Sequence, residues 1–324
     1  MSRSPDVSRR EFLSAACGLV AVSSLPSLAA DDPGLFPSRG RCERLVLAYQ
    51  HVPIGIPKPF SVLHISDTHL TETYDSEPET LRKFCARRRK TFGGRQQEAL
   101  RDSLAWAKDN VDYVLHTGDM IDFQSEANFD LVRRFYGDAA GRIFGSTGNH
   151  EYQLRAEGKP VGTTVEYNAK GRGALSKAFP FDTVFDSVVV NGVNFVSMEQ
   201  VYGVVTAEQA TRFQAEAKKG LPIVLCMHAP FYTNHIRRAT RKFWSRKGRR
   251  FTTADLPELR GGAKRQAEDA VTRDFLSYLR GEPLLKAILA GHLHITVQDR
   301  FSPTAMEYVV GGNFLLHGQE ILFS

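Results

Sequence analysis

Aspartate, asparagine and histidine recur along this chain at the ends of short apolar runs. Asp67 and His69 follow residues 60–65, Asp119 follows 111–115, Asn149 and His150 follow 142–144, His228 follows 222–227, and His292 and His294 follow 285–290. Together they offer carboxylate oxygen, amide oxygen and imidazole nitrogen without a thiolate, the donors that hard and borderline divalent cations take. Singly, each has an ordinary structural reading: Asp67 as a helix cap, Asn149 as a turn residue, His228 as a hydrogen-bonded core histidine. Those readings do not account for five such places, each just past an apolar run. Two cations roughly 3.5 to 4 Å apart need a bridging carboxylate, separate ligands and an open position for water, and the candidates are numerous enough for a di-metal hydrolase. His292 and His294, alternating on an extended segment, can diverge toward two ions. Glycines at 118, 148 and 291 suit close approach of backbone to such a site.

The elements that must position these residues are legible in the periodicity. Short apolar runs alternate with stretches of helical period, which predicts an α/β protein. Helices are expected at 96–108, 126–136, 206–219 and 266–279, the third opened by Thr206 with Gln209 in a capping box. Asn191-Gly192 between two apolar runs predicts a tight hairpin over 184–198. Residues 295–298 and 306–310 are expected to close a sheet as antiparallel strands. In an α/β sheet the strand ends gather in one crevice where ligands bind.

In order, the chain spells Asp67-x-His69, Gly118-Asp119, Gly148-Asn149-His150-Glu151, an isolated His228 and Gly291-His292-x-His294. This set resembles the calcineurin-like metallophosphoesterase superfamily, with the closer likeness to bacterial phosphodiesterase-like members. The resemblance implies two mixed β-sheets packed face to face with helices outside, a four-layer sandwich with the di-metal site at the strand ends. It implies that Asp67, His69, Asp119 and His294 hold one ion and that Asp119, Asn149, His228 and His292 hold the other, with Asp119 bridging. The ions would be divalent or trivalent manganese, iron or zinc. His150 would face the substrate phosphate and help the leaving oxygen depart, while metal-bound hydroxide attacks in line. Where purple acid phosphatases carry a tyrosine ligand this chain has Asp122, so an iron-tyrosinate centre is not implied. Where protein Ser/Thr phosphatases have Asp-Arg-Gly it has Asp122-Phe123-Gln124.

Residues 1–30 read as a twin-arginine signal peptide: Ser8-Arg9-Arg10-Glu11-Phe12-Leu13, then a mildly apolar run and small residues at Ser27, Ala29 and Ala30. The expected mature chain, 31–324, is one phosphoesterase domain exported through the twin-arginine machinery to the periplasm, cell wall or exterior. Cysteines at 17, 42, 85 and 226 contain no C-x-x-C pair, so neither a zinc ribbon nor a thioredoxin-like site is indicated. Lys and Arg number 42 against 36 Asp and Glu, with the surplus concentrated at 82–90 and 237–250. Beside a phosphate site these stretches suit a rim for a polyanion such as nucleic acid, anionic lipid or wall polymer; the ordinary reading is a solvated face. The alternative to an enzyme is a polyanion-binding protein with a vestigial metal site.

Overall fold

The computed structural model describes residues 44–138, 142–152, 155–156, 159–160, 165–200, 204–246 and 270–324. The twin-arginine segment and the basic residues at 247–250 lie outside them.

A first sheet of five strands runs in the order β1 (Val46–Val52), β13 (His317–Phe323), β2 (Phe60–Ile65), β3 (Tyr113–Thr117) and β4 (Ile143–Ser146). Strands β2, β3 and β4 are parallel, whereas β13 lies antiparallel to β2 and parallel to β1. The second, six-stranded sheet runs β11 (Val297–Arg300), β12 (Met306–Val309), β10 (Leu285–Ala290), β9 (Ile223–Cys226), β8 (Val193–Met198) and β7 (Phe185–Val190). Its inner four strands are parallel and its two edge strands antiparallel. A two-stranded ribbon pairs β5 (Arg155–Ala156) with β6 (Lys159–Pro160).

Strands β2, β9 and β10 are buried at nearly every position because both faces are covered. Alternate residues point to different layers. Val62, Leu115 and Phe144 of the first sheet meet Phe195, Val224, Cys226 and Leu289 of the second in one cluster, so the two sheets pack face to face. On the outer face of the first sheet, Leu63, Ile65 and Val114 pack on Leu100 and Trp106 of α2 (Gln96–Asn110) and Val132 and Phe135 of α3 (Glu126–Asp138). On the outer face of the second, Val196, Leu225 and Ile288 pack on Phe213 of α5 (Ala207–Ala217), Ile236 of α6 (Asn234–Arg246) and Phe275 of α7 (Ala270–Gly281). Each fully buried Leu, Val or Phe contributes about 1.5–3 kcal/mol. The result is the expected four-layer α/β/β/α sandwich, with α1 (Glu79–Thr91) and α4 (Val165–Ala178) as further helices.

Several local expectations are met. Asn191 and Gly192 take φ of 47° and 84°, both positive as a type I′ hairpin turn requires. Thr206 and Gln209 form the reciprocal capping box. Both basic stretches turn out to be helical: 82–90 lies within α1, and the described part of 237–250 lies within α6. Among the described residues no helix is long and apolar enough to cross a membrane.

Candidate metal centre

The five candidate blocks all sit just beyond the C-terminal ends of parallel strands β2, β3, β4, β9 and β10. Their loops are tied together by backbone hydrogen bonds: Asp67 N–H to the Gly118 carbonyl, His69 N–H to that of Asp119, and Gly291 N–H to that of His228, each 2.9 Å. The turns are strained. Among the described residues, Asp67, His69, Asp119, His292 and His294 all take left-handed φ, between 51° and 67°, a region costly for residues with a Cβ. Such strain is held only where surrounding contacts over-determine it, as at functional sites.

Close packing of backbone enforces the convergence. A Cβ on Gly118 would lie 2.5 Å from Gly148 N and 2.8 Å from His228 Nδ1, and one on Gly291 would lie 2.6 Å from Asp67 Oδ2. Neither glycine can be replaced without moving a candidate ligand.

Three overlapping groups of donor atoms result: Asp67, His69 and His294 in the first, Asp119, His228 and His292 in the second, and His69, Asp119 and His150 between them. Within the first, His69 Nε2 and His294 Nε2 face each other at 3.2 Å, and His294 Nε2 is 3.2 Å from Asp67 Oδ1. Within the second, His228 Nε2 lies 3.2 Å from His292 Nδ1 and 3.1 Å from Asp119 Oδ2. Asp119 Oδ2 also stands 3.8 Å from His69 Nε2. His150 is beside the first group, its Nε2 3.9 Å from Asp119 Oδ2.

The supporting contacts set which ring nitrogen points inward. The Thr117 carbonyl accepts a hydrogen bond from His228 Nδ1 at 2.8 Å, and Asp122 Oδ1 one from His69 Nδ1 at 3.2 Å, leaving both Nε2 atoms for the centre. Asp122 also takes His150 Nδ1 at 2.9 Å and is gripped by Arg88, whose Nε and Nη2 reach its two oxygens at 2.5 and 2.7 Å. Burial disfavours the charged form of Asp122, but Arg88 and then His150 outweigh it and hold the carboxyl well below the ordinary range. Burial likewise works against protonated His150, yet Asp119 and Asp122 raise it to about 9. Glu151, fully buried, accepts the backbone N–H groups of Gly148, Asp119 and Ile121 at 2.7, 2.9 and 3.1 Å. Burial and then the Asp119 charge push its carboxyl up to about 7.

The residues fit a pair of cations. Asp67 Oδ1 and Asn149 Oδ1 are buried acceptors that receive no hydrogen bond, although His294 Nε2 is near the former. Buried oxygens are rarely left so without a reason, and an ion between such oxygens and the facing imidazole nitrogens supplies one. Residues 60–296 match the family model for calcineurin-like phosphoesterases.

The chain belongs to the calcineurin-like phosphoesterase family. As a member it is a metal-dependent phosphoester hydrolase. Among solved structures, it is similar to a dimetal phosphatase from Danio rerio, at 14% identity and a TM-score of 0.45, covering 81% of this chain and 91% of that one. It is also similar to a 5'-nucleotidase from Candida albicans SC5314, at 11% identity and a TM-score of 0.39, covering 83% of this chain and 47% of that one. NAD nucleotidase from Haemophilus influenzae matches at 13% identity and a TM-score of 0.35, covering 79% of this chain and 45% of that one. The chain thus spans about half the length of these two nucleotidases. No curated protein matches it.

Six of the seven candidate ligands and His150 come together at this family site. Of the seventh, Asn149, the side-chain oxygen is buried without a hydrogen-bond partner just past β4. Three residues were not read from the sequence as supports of the centre: Arg88, which was counted in the basic rim at 82–90, Asp122 as a shared hydrogen-bond acceptor, and Glu151. Leu81, Phe84, Cys85 and Arg88, spaced as one helical face, were the available signal for the first. The basic run disguised it.

Proposed function

We propose that this family member is an exported enzyme that hydrolyses phosphodiesters or phosphomonoesters with two manganese, iron or zinc ions. In this reading Asp67, His69, Asp119 and His294 would hold one ion and Asp119, Asn149, His228 and His292 the other, with Asp119 shared between them. The observation that carries the reading is that two carboxylates stand within 4 Å of histidine nitrogens from both the first and the second group: Asp119 Oδ2 is 3.8 Å from His69 and 3.1 Å from His228, and Asp67 Oδ1 is 3.2 Å from His294 and 3.9 Å from His228. When bound, the ion pair activates water near neutral pH and offsets phosphate charge. His150 holds a proton on Nε2 while Nδ1 donates to Asp122, so Nε2 is the end that can protonate a leaving alkoxide. Asp122, locked by Arg88, keeps the His69 and His150 rings in place.

The test is elemental analysis of the purified protein with rates on bis-p-nitrophenyl phosphate and p-nitrophenyl phosphate. Two ions per chain and hydrolysis that a chelator abolishes and added metal restores are expected. A chain with no metal and no hydrolysis would overturn the reading and leave the alternative, a polyanion-binding protein with a vestigial site.

The two basic stretches support polyanion binding unequally. On α1, Arg88 is committed to Asp122, Arg89 to Glu72 and Lys83 to Glu79. On α6, Arg238, Arg241, Lys242 and Arg246 are exposed. A nucleic acid, anionic lipid or wall polymer would be drawn to the α6 side, with Arg82, Arg87 and Lys90 exposed on α1 as a lesser contribution, and neutralising the four on α6 should raise KM for such a substrate selectively. Export by the twin-arginine route to the periplasm or beyond rests on the sequence of residues 1–30 alone. Arg9→Lys with Arg10→Lys should trap precursor inside the cell, and normal export of the double variant would exclude that route.

A further inference from the structure

One side of the metal centre is walled by aromatic rings. Phe92, at the C-terminal end of α1, stacks on His69 with centroids 4.3 Å apart and an interplanar angle of 12°. Phe314 meets Phe92 edge to face at 4.9 Å and His294 at 5.2 Å. Trp244 of α6 comes to His294 from a separate element, with centroids 6.1 Å apart. Phe92 is buried, so its role is to hold the His69 ring. Phe314 and Trp244 are only half-buried, and Leu315 beside Phe314 is exposed. His294, which they flank, is itself half-buried, so these surfaces border the opening to the centre.

The placement of Trp244 on its helix sharpens the point. Ile236, Ala239 and Phe243 recur at helical spacing and pack into the core cluster. Arg237, Arg241 and Trp244 recur at i, i+4 and i+7 and share the adjoining flank. Trp244 touches His294, so that flank is turned to the metal centre, with Arg241 exposed one turn away. An indole face beside a guanidinium suits a planar ring on an anionic ester.

We propose that Trp244 and Phe314 are specificity-determining residues, forming an aromatic platform that receives a planar aromatic substituent of the phosphate ester bound at the His69 and His294 side. The proposal rests on the phosphoesterase reading above. It names a substrate class, esters in which at least one alcohol carries a flat ring, whether an aryl group or a nucleobase.

The test holds the leaving group constant. Three p-nitrophenyl phosphodiesters are compared whose retained group is phenyl, a nucleoside or methyl. The parent should prefer the phenyl or nucleoside ester over the methyl ester. Trp244→Ala should lower kcat/KM for the preferred esters by about tenfold, the scale of one lost stacking contact, and leave the methyl ester and bound metal unchanged. Trp244→Phe should restore most of the preference, and Phe314→Leu should lower it less. Which ring-bearing ester leads distinguishes aryl from nucleoside substrates. A second readout is direct: the chain has two tryptophans, and Trp106 is buried in α2, so phenylphosphonate binding should change the emission of Trp244 while methylphosphonate should not.

An equal fall on all three esters, or loss of metal in Trp244→Ala, would show that Trp244 only packs His294, and would overturn the proposal. A parent that hydrolyses all three esters without preference overturns the platform but not the phosphoesterase. A parent that hydrolyses none of the three but cleaves p-nitrophenyl phosphate overturns the platform alone, and one that cleaves neither the diesters nor the monoester overturns both.

Discussion

The two groups of candidate ligands are held in different ways. Around His69 and His294 the supports are side chains: Arg88 grips Asp122, Asp122 orients His69, and Phe92 and Phe314 press on the imidazoles. Asp67 of the same group is instead held by backbone, its Oδ2 accepting the His292 N–H at 2.8 Å with Gly291 against it. Around Asp119 and His228 the supports are mostly backbone: the Thr117 carbonyl orients His228, the His150 N–H donates to Asp119 Oδ1 at 2.8 Å, and Gly118 and Gly148 lie directly against the ligands. Side-chain support can be weakened by degrees, one contact at a time. Backbone support has no slack, because an added carbon must displace a ligand. Point changes in the first half should therefore act in a graded way and changes in the second abruptly.

Asp119 belongs to both halves, and its loss should erase the distinction. Asp119→Asn removes the shared negative oxygen, and a loss of several kcal/mol of charge stabilisation corresponds to on the order of a thousandfold in rate. Both ions should be lost together, as read by elemental analysis. Retention of two ions at the parent rate would refute the bridging assignment.

Gly148→Ala tests the backbone-held half. Its Cβ would stand 2.6 Å from Asp119 N and 2.7 Å from the His228 ring, and overpacking of that kind costs about 1–3 kcal/mol. A lower melting temperature is expected, with loss of the ion at His228 and His292 before that at His69 and His294. Unchanged melting and metal content would contradict the rigidity ascribed to this half.

Arg88→Ala tests the side-chain-held half. It leaves buried Asp122 without its cation and lets His69 and His150 reorient, so affinity at the Asp67, His69 and His294 side should fall about 10- to 100-fold. Competition with a chelator measures it, and the His228 side should hold its ion as before. An equal loss on both sides would sink the comparison.

The smallest effect concerns two histidines beneath the centre. His116 Nε2 meets Thr68 Oγ1 at 2.8 Å under the first half, and His64 Nε2 meets Thr117 Oγ1 at 2.8 Å under the second. Burial lowers His116 to about 3 and His64 to about 4, against roughly 6.5 in the unfolded chain. Below 6.5 the unfolded chain takes up protons that the folded chain refuses, so each histidine costs stability as the pH falls toward its folded value. In metal-free protein, His64→Gln should flatten the acid side of the melting profile between about pH 6.5 and 4, and His116→Gln should do the same down to about pH 3. Parallel profiles for variant and parent would show that these histidines are not excluded from protonation.

Much of this was legible in the chain alone. The strands leading to Asp67, Asp119, Asn149, His228 and His292 are mostly apolar runs, readable because both of their faces are buried, and the ligand types follow shortly after them. Helices α1 and α6 were less legible, because their cations mask the apolar faces at Leu81, Phe84 and Cys85 and at Ile236, Ala239 and Phe243. Strand β13 gave little signal of its place, since it pairs with β1 and β2, which lie far away along the chain.

The sequence by itself determined the donor chemistry, the strand-end placement of each ligand, the Asn191-Gly192 hairpin and the Thr206 capping box, because each depends on residue type and on neighbours a few positions away. Only the tertiary structure decided that Arg88 turns inward to Asp122, that Glu151 gathers three backbone N–H groups, and that Trp244 and Phe314 wall one side of the centre. Apart from the bond between Glu151 and the Gly148 N–H, those contacts join residues tens to hundreds of positions apart. Their partners are chosen by how two sheets and their helices pack, which no local pattern encodes.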